Sequence, residues 1–289
     1  MKTIALVCSH NGELFIEEQL NSLLKQTIKL DLIVIDDYNS SDRTLAIIKD
    51  MVAKHFNMTY NHFKTAHGPT HSFLNSIKTI REAEDSPFLL YLVDQDDVWL
   101  PNKNEKVLRE FRERESAIIF HDVEIVDERL SCIRETYYRK YWNVARDLKL
   151  PNQFFSNCVI GHTCALSSQF LDSVSLEYDE RIPMHDWYLV NEALFQEMRI
   201  TYLGEVLSLY RQHNNNLLGA SRSKKNSIIK SLRMHSLRVK RYQLYLQEKY
   251  PEKLSYNSLK IIVIIRNIRP LKKLLTILII KYAIRDDKF

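Results

Sequence analysis

Three aspartates follow a short apolar run in the middle of the chain, and their spacing is the strongest chemical signal in the sequence. Residues 88–93 contain no glycine, proline or charged residue, which predicts a strand buried on both faces. Asp94, Asp96 and Asp97 come directly after it. Carboxylates this close repel one another unless a cation or ligand shares them, and Mg²⁺ and Mn²⁺ prefer oxygen ligands. The pattern predicts a divalent-metal site for a phosphorylated substrate; the alternative is an acidic turn that caps the next helix.

A second acidic pair ends another predicted strand. Residues 32–35 are apolar and lead into Asp36 and Asp37, and residues 3–9 and 58–63 are two further predicted strands. Segments with helical apolar spacing separate the strands, and such repeated βαβ units imply a parallel sheet with right-handed crossovers. Open α/β sheets bind ligands at the carboxyl edge. Both acidic groups are therefore expected at one nucleotide-binding edge.

Composition and short motifs exclude several classes of protein. The 289 residues include only 5 glycines, and neither G-x-G-x-x-G nor G-x-x-x-x-G-K-[ST] occurs, which nearly excludes classical dinucleotide oxidoreductases and P-loop enzymes. The 4 cysteines form no C-x-x-C pair and are expected to be reduced thiols in a cytosolic protein. The apolar run near the N-terminus is too short for a signal peptide and predicts a first strand instead.

Charge is distributed unevenly along the chain. Residues 222–289 contain 18 Lys and Arg but 4 Asp and Glu, whereas the rest of the chain is acidic. Basic amphipathic segments at residues 228–247, 259–268 and 271–284 predict helices, and their apolar runs fall well short of the ~20 residues that span a bilayer. We expect this region to meet an anionic membrane surface. The alternatives are packing on the body of the protein or on a second subunit in a homodimer.

Four stretches carry a joint signal in their order and spacing. They are CSHNGELFIEEQLNSLLKQT (8–27), IDDYNSSDRT (35–44), LVDQDDVWLPNK (92–103), and MHDW (184–187) with YRQHNNNLLG (210–219). Taken together, they resemble the family 2 glycosyltransferases of GT-A type, and most closely their rhamnosyltransferase-like branch. The resemblance covers about residues 1–220.

The resemblance implies an α/β fold with a GT-A (Rossmann-like nucleotide-binding) mixed, mainly parallel sheet that is flanked by helices, and a C-terminal helical appendage. It divides a catalytic domain, 1–220, into a nucleotide-binding half, 1–100, and an acceptor half, 101–220, followed by the basic amphipathic helical region 221–289.

The resemblance also implies roles for individual residues. Asp96 and Asp94 match a D-x-D metal motif. His213, from later in the chain, matches a residue that contacts the metal or the diphosphate; the alternative is a solvated histidine in a polar loop. Asp186 matches the general base, with a helix cap as the alternative. The implied nucleotide-contacting residues are Ser9, Asn11, Asp36, Asp37, Asp94 and Arg211, and the implied acceptor-binding residues are His162, Thr163, His185 and Trp187. An Asx turn at Asp36-Asp37 and a core role for His162 remain open.

The function implied is an inverting, metal-dependent glycosyltransferase. It would move rhamnose or a hexose from a dTDP- or UDP-sugar to a glycan acceptor, expected to be lipid-linked, in bacterial capsule, O-antigen or related cell-surface polysaccharide synthesis. Mn²⁺ or Mg²⁺ is the expected cofactor, and the expected location is the cytoplasmic face of the cell membrane, as a peripheral protein. The alternatives are a nucleotidyltransferase on the same acidic site and a nucleic-acid-binding protein that uses the basic tail. The leading interpretation expects no nucleic-acid partner.

Overall fold

The computed structural model describes residues 1–65, 67–149, 152–213 and 225–252. The chain divides into two compact units, residues 1–178 with 184–219 and residues 179–183 with 220–289. The first unit contains the sheet and every predicted site residue. The described part of the second unit consists mainly of one long helix.

One mixed sheet organises the first unit. Its strand order is β3-β2-β1-β4-β8-β6-β9-β5, and β7 pairs with β6 outside this path. The β3-β2-β1-β4 half is parallel throughout, whereas β8 runs antiparallel to both of its neighbours and β5 runs antiparallel to β9. The strands are β1 (Lys2–Ser9), β2 (Leu32–Tyr38), β3 (Met58–Phe63), β4 (Phe88–Asp94), β5 (Val98–Trp99), β6 (Ile118–Val126), β7 (Cys132–Arg134), β8 (Ala165–Ser167) and β9 (Ile200–Arg211).

Helices connect the parallel strands and cover the sheet, as the alternating pattern of the sequence predicts. In the helix that follows β1, Ile16, Leu20 and Leu23 are fully buried, because their spacing places them on one face. The helices are α1 (Ile16–Leu24), α2 (Thr44–Lys54), α3 (Pro69–Ala83), α4 (Lys103–Arg114), α5 (Tyr138–Tyr141), α6 (Val144–Asp147), α7 (Asn152–Phe155), α8 (Ser168–Ser173), α9 (His185–Phe195) and α10 (Lys225–Lys249).

The register of the parallel strands brings the acidic groups to one edge. Cys8 of β1 lies opposite both Asp36 of β2 and Asp94 of β4, and Ser9 lies opposite Asp37. All three strands therefore end at the same level. The mixed, mainly parallel sheet is confirmed, and so is the placement of both acidic groups at its carboxyl edge.

The sequence VIGHTCAL at residues 159–166 predicts a strand with a kink at its glycine, and this prediction is wrong as a continuous strand. Gly161–Thr163 form a 3-10 turn, in which the Thr163 N–H donates to the Ile160 carbonyl, and only Ala165–Ser167 pair as β8. A tertiary contact accompanies the turn, because the Gly161 N–H donates to the Asp186 carboxylate instead of to a neighbouring strand.

Two further segments differ in detail from what the sequence predicts. Its pattern predicts two strands, at 200–203 and 206–210, but they form the single strand β9, whose pairing with β6 shifts register near His121 and Asp122. The aromatic, irregular stretch 131–151 predicts a flexible or lid-like excursion; its described part contains β7, α5 and α6, and it buries Tyr138.

The C-terminal region is described only in part. Helix α10 contains the segment predicted as helical at residues 228–247. The predicted segments at 259–268 and 271–284 lie outside the described residues. Among the helices that are described, none combines the length and the apolar character needed to cross a bilayer.

A buried hydrogen bond joins the central strand β4 to α4, and its loss gives a test of this packing. The Tyr91 hydroxyl donates to Asn104 Oδ1 over 2.7 Å in the core. Tyr91→Phe leaves that acceptor unsatisfied, and we expect the free energy of unfolding to fall by about 1–2 kcal/mol in urea denaturation. Tyr60→Phe, on the exposed face of edge strand β3, is the matched control and is expected to change little. Equal stabilities for the two variants would contradict the described packing.

Candidate active site

The turn after β4 gathers the acidic groups at the carboxyl edge. Asp94, Asp96 and Asp97 each offer one carboxylate oxygen, and these oxygens lie within 4.8 Å of one another. Burial raises the pKa of Asp94 and of Asp96, and the neighbouring carboxylates raise both further. A set of hard oxygen donors that repel one another at this spacing fits a divalent cation such as Mg²⁺ or Mn²⁺.

His213 reaches this turn from the far end of β9. Its Nε2 lies 2.8 Å from Asp96 Oδ2, and its ring packs at 4.8 Å against Phe15. The sequence separation from Asp96 is 117 residues, so only the tertiary fold brings these two groups together. Of the predicted metal set, the structure places Asp94, Asp96 and His213 at one location.

Asp97 is the buried member of the triplet and faces inward. Its Oδ2 lies 2.5 Å from His162 Nδ1, and its Oδ1 accepts the Arg211 backbone N–H. Burial lowers the pKa of His162, but the Asp97 carboxylate outweighs burial, so the net shift is upward. Lys103 is also fully buried: its Nζ donates to the His162 carbonyl at 3.1 Å and lies 3.7 Å from the centre of the Trp99 ring. Burial lowers the pKa of Lys103 to about 7.

Asp186 is the second residue of helix α9, and its charge acts on Asp94 of the acidic turn. Its Oδ2 accepts the Gly161 N–H at 2.9 Å, and its Oδ1 accepts the Trp187 N–H at 2.6 Å. Burial raises the pKa of Asp186 to about 6, against the opposing effect of these two donors. A carboxyl group poised in this range can take a proton near neutral pH.

The edge of β2 holds the second acidic pair. Asp37 accepts from Ser9 Oγ, Ser40 Oγ and the Ser40 N–H, and His62 Nδ1 lies 2.9 Å from its Oδ2. Asp36 accepts from Asn61 Nδ2 at 2.8 Å. Asp37 is therefore held by protein groups on both oxygens, and this arrangement orders the β2–α2 loop.

The loop after β1 is tied to the loop after β2 and to the acidic turn. Asn11 Oδ1 accepts the Ser41 N–H at 2.8 Å. Gln95 donates from Nε2 to the His10 carbonyl, and its Oε1 accepts the His10 N–H. Both ends of its amide therefore bind the backbone of one residue in the loop after β1. A β-carbon on Gly12 would overlap the Gln95 side chain. This contact explains why glycine occupies position 12.

Arg211 is buried behind the acidic turn. Its guanidinium is 2% exposed and donates to the carbonyls of Asp96 and Glu128 and to the Glu18 carboxylate. It also lies over the Phe15 ring. These contacts favour a structural role that holds the acidic turn, and the predicted nucleotide contact stays a prediction.

The four residues predicted to bind the acceptor are all buried. Thr163 Oγ1 donates to the Ile160 carbonyl, the Trp187 indole N–H donates to the Gln153 carbonyl, and His162 pairs with Asp97. His185 stacks on Phe73 with ring centres 4.1 Å apart, and burial lowers its pKa to about 3. Of the four, His162 acts electrostatically on Asp186, and His185 and Trp187 are its neighbours in the chain. Direct contact with an acceptor stays a prediction for each of them.

Two participants were missed at the sequence level. Lys103 carried a weak signal, because it ends the stretch LVDQDDVWLPNK, whose start contains the aspartates. Gly161 acts through its backbone N–H on Asp186, for which the sequence gives no signal apart from the glycine itself.

Comparison with known proteins agrees with this geometry. The model of glycosyl transferase family 2 matches residues 4–173. A curated relative, the dTDP-rhamnosyl transferase RfbG of Shigella flexneri, is 24% identical over 227 residues, which cover 74% of each chain.

Solved structures share the fold at lower identity. The S. aureus TarS fragment 1–349 in complex with UDP-GlcNAc has a TM-score of 0.58 at 16% identity and covers 87% of this chain and 73% of its own. The mannosyltransferase PcManGT of Pyrobaculum calidifontis, in complex with GDP-Man and Mn²⁺, has a TM-score of 0.57 at 13% identity and covers 86% of this chain and 64% of its own. These likenesses establish the GT-A type of fold.

Replacing Arg211 separates its two possible roles. Arg211→Met leaves the Asp96 and Glu128 carbonyls without their donor, and we expect the free energy of unfolding in urea to fall by about 2–3 kcal/mol. Arg112→Met, at an exposed position of α4, is the control and is expected to have a small effect. Full stability of Arg211→Met combined with weaker donor binding would instead support the nucleotide contact.

Proposed function

This chain belongs to glycosyl transferase family 2, and on that premise we propose that it is an inverting, metal-dependent enzyme that transfers a sugar from a nucleotide donor to a glycan. The observation that carries the proposal is the convergence of Asp94, Asp96 and His213 at one edge, with Asp186 nearby. The first three suit a cation that binds a diphosphate, and the fourth suits the acceptance of a proton.

The donor is proposed to be dTDP-L-rhamnose, with a UDP-hexose as the second candidate. The relative from Shigella flexneri is described as a dTDP-rhamnosyl transferase, which supports the first choice. TarS was solved with UDP-GlcNAc, which supports the second. In this proposal residues 1–100 hold the nucleotide, with Ser9, Asn11 and the Asp36-Asp37 pair at its edge, and residues 101–220 receive the acceptor.

A divalent cation, Mn²⁺ or Mg²⁺, is proposed to be held by Asp94, Asp96 and His213. Such an ion supplies Lewis-acid stabilisation of the departing diphosphate, an effect of several kcal/mol. His213 is bonded to Asp96 without the ion, so the two groups are already oriented toward one location. Asp97 is turned toward His162 and holds the turn from inside.

Asp186 is proposed to take the proton of the acceptor hydroxyl. Inversion by direct displacement requires that proton to leave as the oxygen attacks, and a positioned carboxylate contributes on the order of 10²–10⁴-fold. The N–H groups of Gly161 and Trp187 fix its two oxygens in place. Its burial keeps the pKa close to the working pH, which a general base requires.

The acceptor is proposed to be a lipid-linked glycan at the cytoplasmic face of the cell membrane. Helix α10 exposes Leu237 and Leu244 next to Arg238 and Arg241, a combination that suits an anionic lipid surface. The strong basic excess of residues 222–289 supports the same surface. Synthesis of a bacterial surface polysaccharide, such as capsule or O-antigen, is the corresponding process.

Metal dependence is tested by removing the ion with EDTA and, separately, by replacing one of its proposed protein ligands. We expect transfer from dTDP-L-rhamnose or UDP-sugars to stop in the presence of EDTA and to return with Mn²⁺ or Mg²⁺. Asp96→Ala should lower the rate by roughly a thousandfold, the equivalent of several kcal/mol. Asp50→Asn, at an exposed ion pair of α2, is the control that should keep full activity. Unchanged turnover in EDTA would refute the metal assignment.

The pH profile tests the base. Because Asp186 acts when deprotonated and burial raises its pKa to about 6, we expect kcat/KM to fall as the pH drops below about 6 and to level off above it. Asp186→Asn keeps the shape of the side chain but should lose roughly 10²–10⁴-fold and flatten this limb of the profile. A fully active Asp186→Asn enzyme would show that another group accepts the proton.

A further inference from the structure

The 3-10 turn Gly161–Thr163 touches both halves of the site. The Gly161 N–H donates to Asp186 Oδ2 at 2.9 Å. The adjacent His162 ring places Nδ1 2.5 Å from Asp97 Oδ2, and the His162 carbonyl accepts from Lys103 Nζ at 3.1 Å. Two consecutive residues thus connect the general base to the acidic turn and to the helix that follows that turn.

These contacts lie inside the protein. His162 and Asp97 are 1% exposed and Lys103 is fully buried. Buried charges lower stability unless they are paired, and a lysine at the first residue of a helix is also opposed by the helix dipole. Lys103 occupies that position in α4. The proposed reaction uses neither His162 nor Lys103 as a metal ligand or as a proton acceptor. Their buried contacts therefore point to a role in holding neighbouring groups in place.

Gly161 allows the turn to approach the base closely. A β-carbon at this position would lie 2.8 Å from His185 Nε2 and 3.4 Å from Asp186 Oδ2. Only the bare backbone can therefore bring its N–H to the carboxylate while His185 stays stacked on Phe73.

We propose that the Gly161–His162 segment is a positioning strut, which fixes the metal-binding turn relative to Asp186, with Lys103 bracing it from α4. This inference rests on the proposed function for the roles of Asp96 and Asp186. Direct displacement needs the attacking oxygen, the sugar carbon and the departing diphosphate in line, and a misplacement of about 1 Å lowers the rate roughly a hundredfold. His162 is accordingly a positioning residue that acts through Asp97.

The strut is tested first by hydrogen exchange in the full-length protein without ligands. His162→Leu removes the contact with Asp97, and His162→Asn retains an amide donor where Nδ1 lies. We expect His162→Leu to speed backbone exchange in three separate segments, residues 94–99, 161–164 and 185–189. His162→Asn should restore most of the protection.

The matched control loses a buried hydrogen bond elsewhere. Ser116 Oγ lies 2.7 Å from Thr201 Oγ1 just before β6, at the opposite edge of the sheet from the site. Ser116→Ala should leave exchange in the three segments unchanged. If His162→Leu does not fold, Lys103→Met removes the other tie to the turn and is measured in the same way.

A double-mutant cycle supplies the second readout. Hydrolysis of dTDP-L-rhamnose or UDP-GlcNAc with Mn²⁺ is measured for His162→Leu alone and in the Asp186→Asn background. We expect a loss of roughly 10- to 100-fold in the first case, the range for residues that orient metal ligands. In the second case a smaller further loss is expected, because the position of the metal-binding turn relative to the base matters only while the base is present.

Three results would overturn the strut. They are faster exchange confined to residues 161–164, an equal loss of hydrolysis in both backgrounds, and no rescue by His162→Asn. A wild-type enzyme without metal-dependent turnover of any nucleotide sugar would contradict the proposed function instead. Because the exchange measurement is independent of turnover, the strut can fail while the proposed function stands, and the reverse.

Discussion

Mutual repulsion among carboxylates at the end of a buried strand is the constraint on which this structure depends. Asp94, Asp96 and Asp97 lie at the level where β1 and β2 also end, so the sheet itself concentrates negative charge. The fold opposes the repulsion with groups brought from distant parts of the chain, namely His213 on one side and His162 on the other. Arg211 supports the same turn by donating to the Asp96 carbonyl.

The sequence predicts what depends on local pattern. Alternating apolar runs and amphipathic segments predicted the parallel half of the sheet, and the spacing of Asp94 and Asp96 after a buried run predicted the acidic edge. What it could not predict depends on tertiary contacts. Arg211 is buried against the carbonyls of Asp96 and Glu128, and the sequence does not indicate these structural contacts. Gly161 suggested a kink in a strand, although its N–H is directed to a side chain 25 residues away.

The same contrast distinguishes the acidic edge, which is the proposed donor side of the site, from the surroundings of Asp186, which are the proposed acceptor side. The acidic edge is built from the ends of adjacent parallel strands, whose register follows from the βαβ repeat. The surroundings of Asp186 come from a 3-10 turn and the start of α9, which do not share a sheet register. Their arrangement relies on individual hydrogen bonds, and a pattern of residue types carries little information about such bonds.

The two hydrogen bonds between the Gln95 amide and the His10 backbone have an evolutionary consequence. Gln95 stands between the two proposed metal ligands, and both ends of its amide are committed to His10. Glycine at position 12 leaves the space that this side chain occupies. Positions 12 and 95 therefore constrain each other's substitutions: a homologue with a side chain at the first should carry a shorter residue at the second, and the two should change together across an alignment.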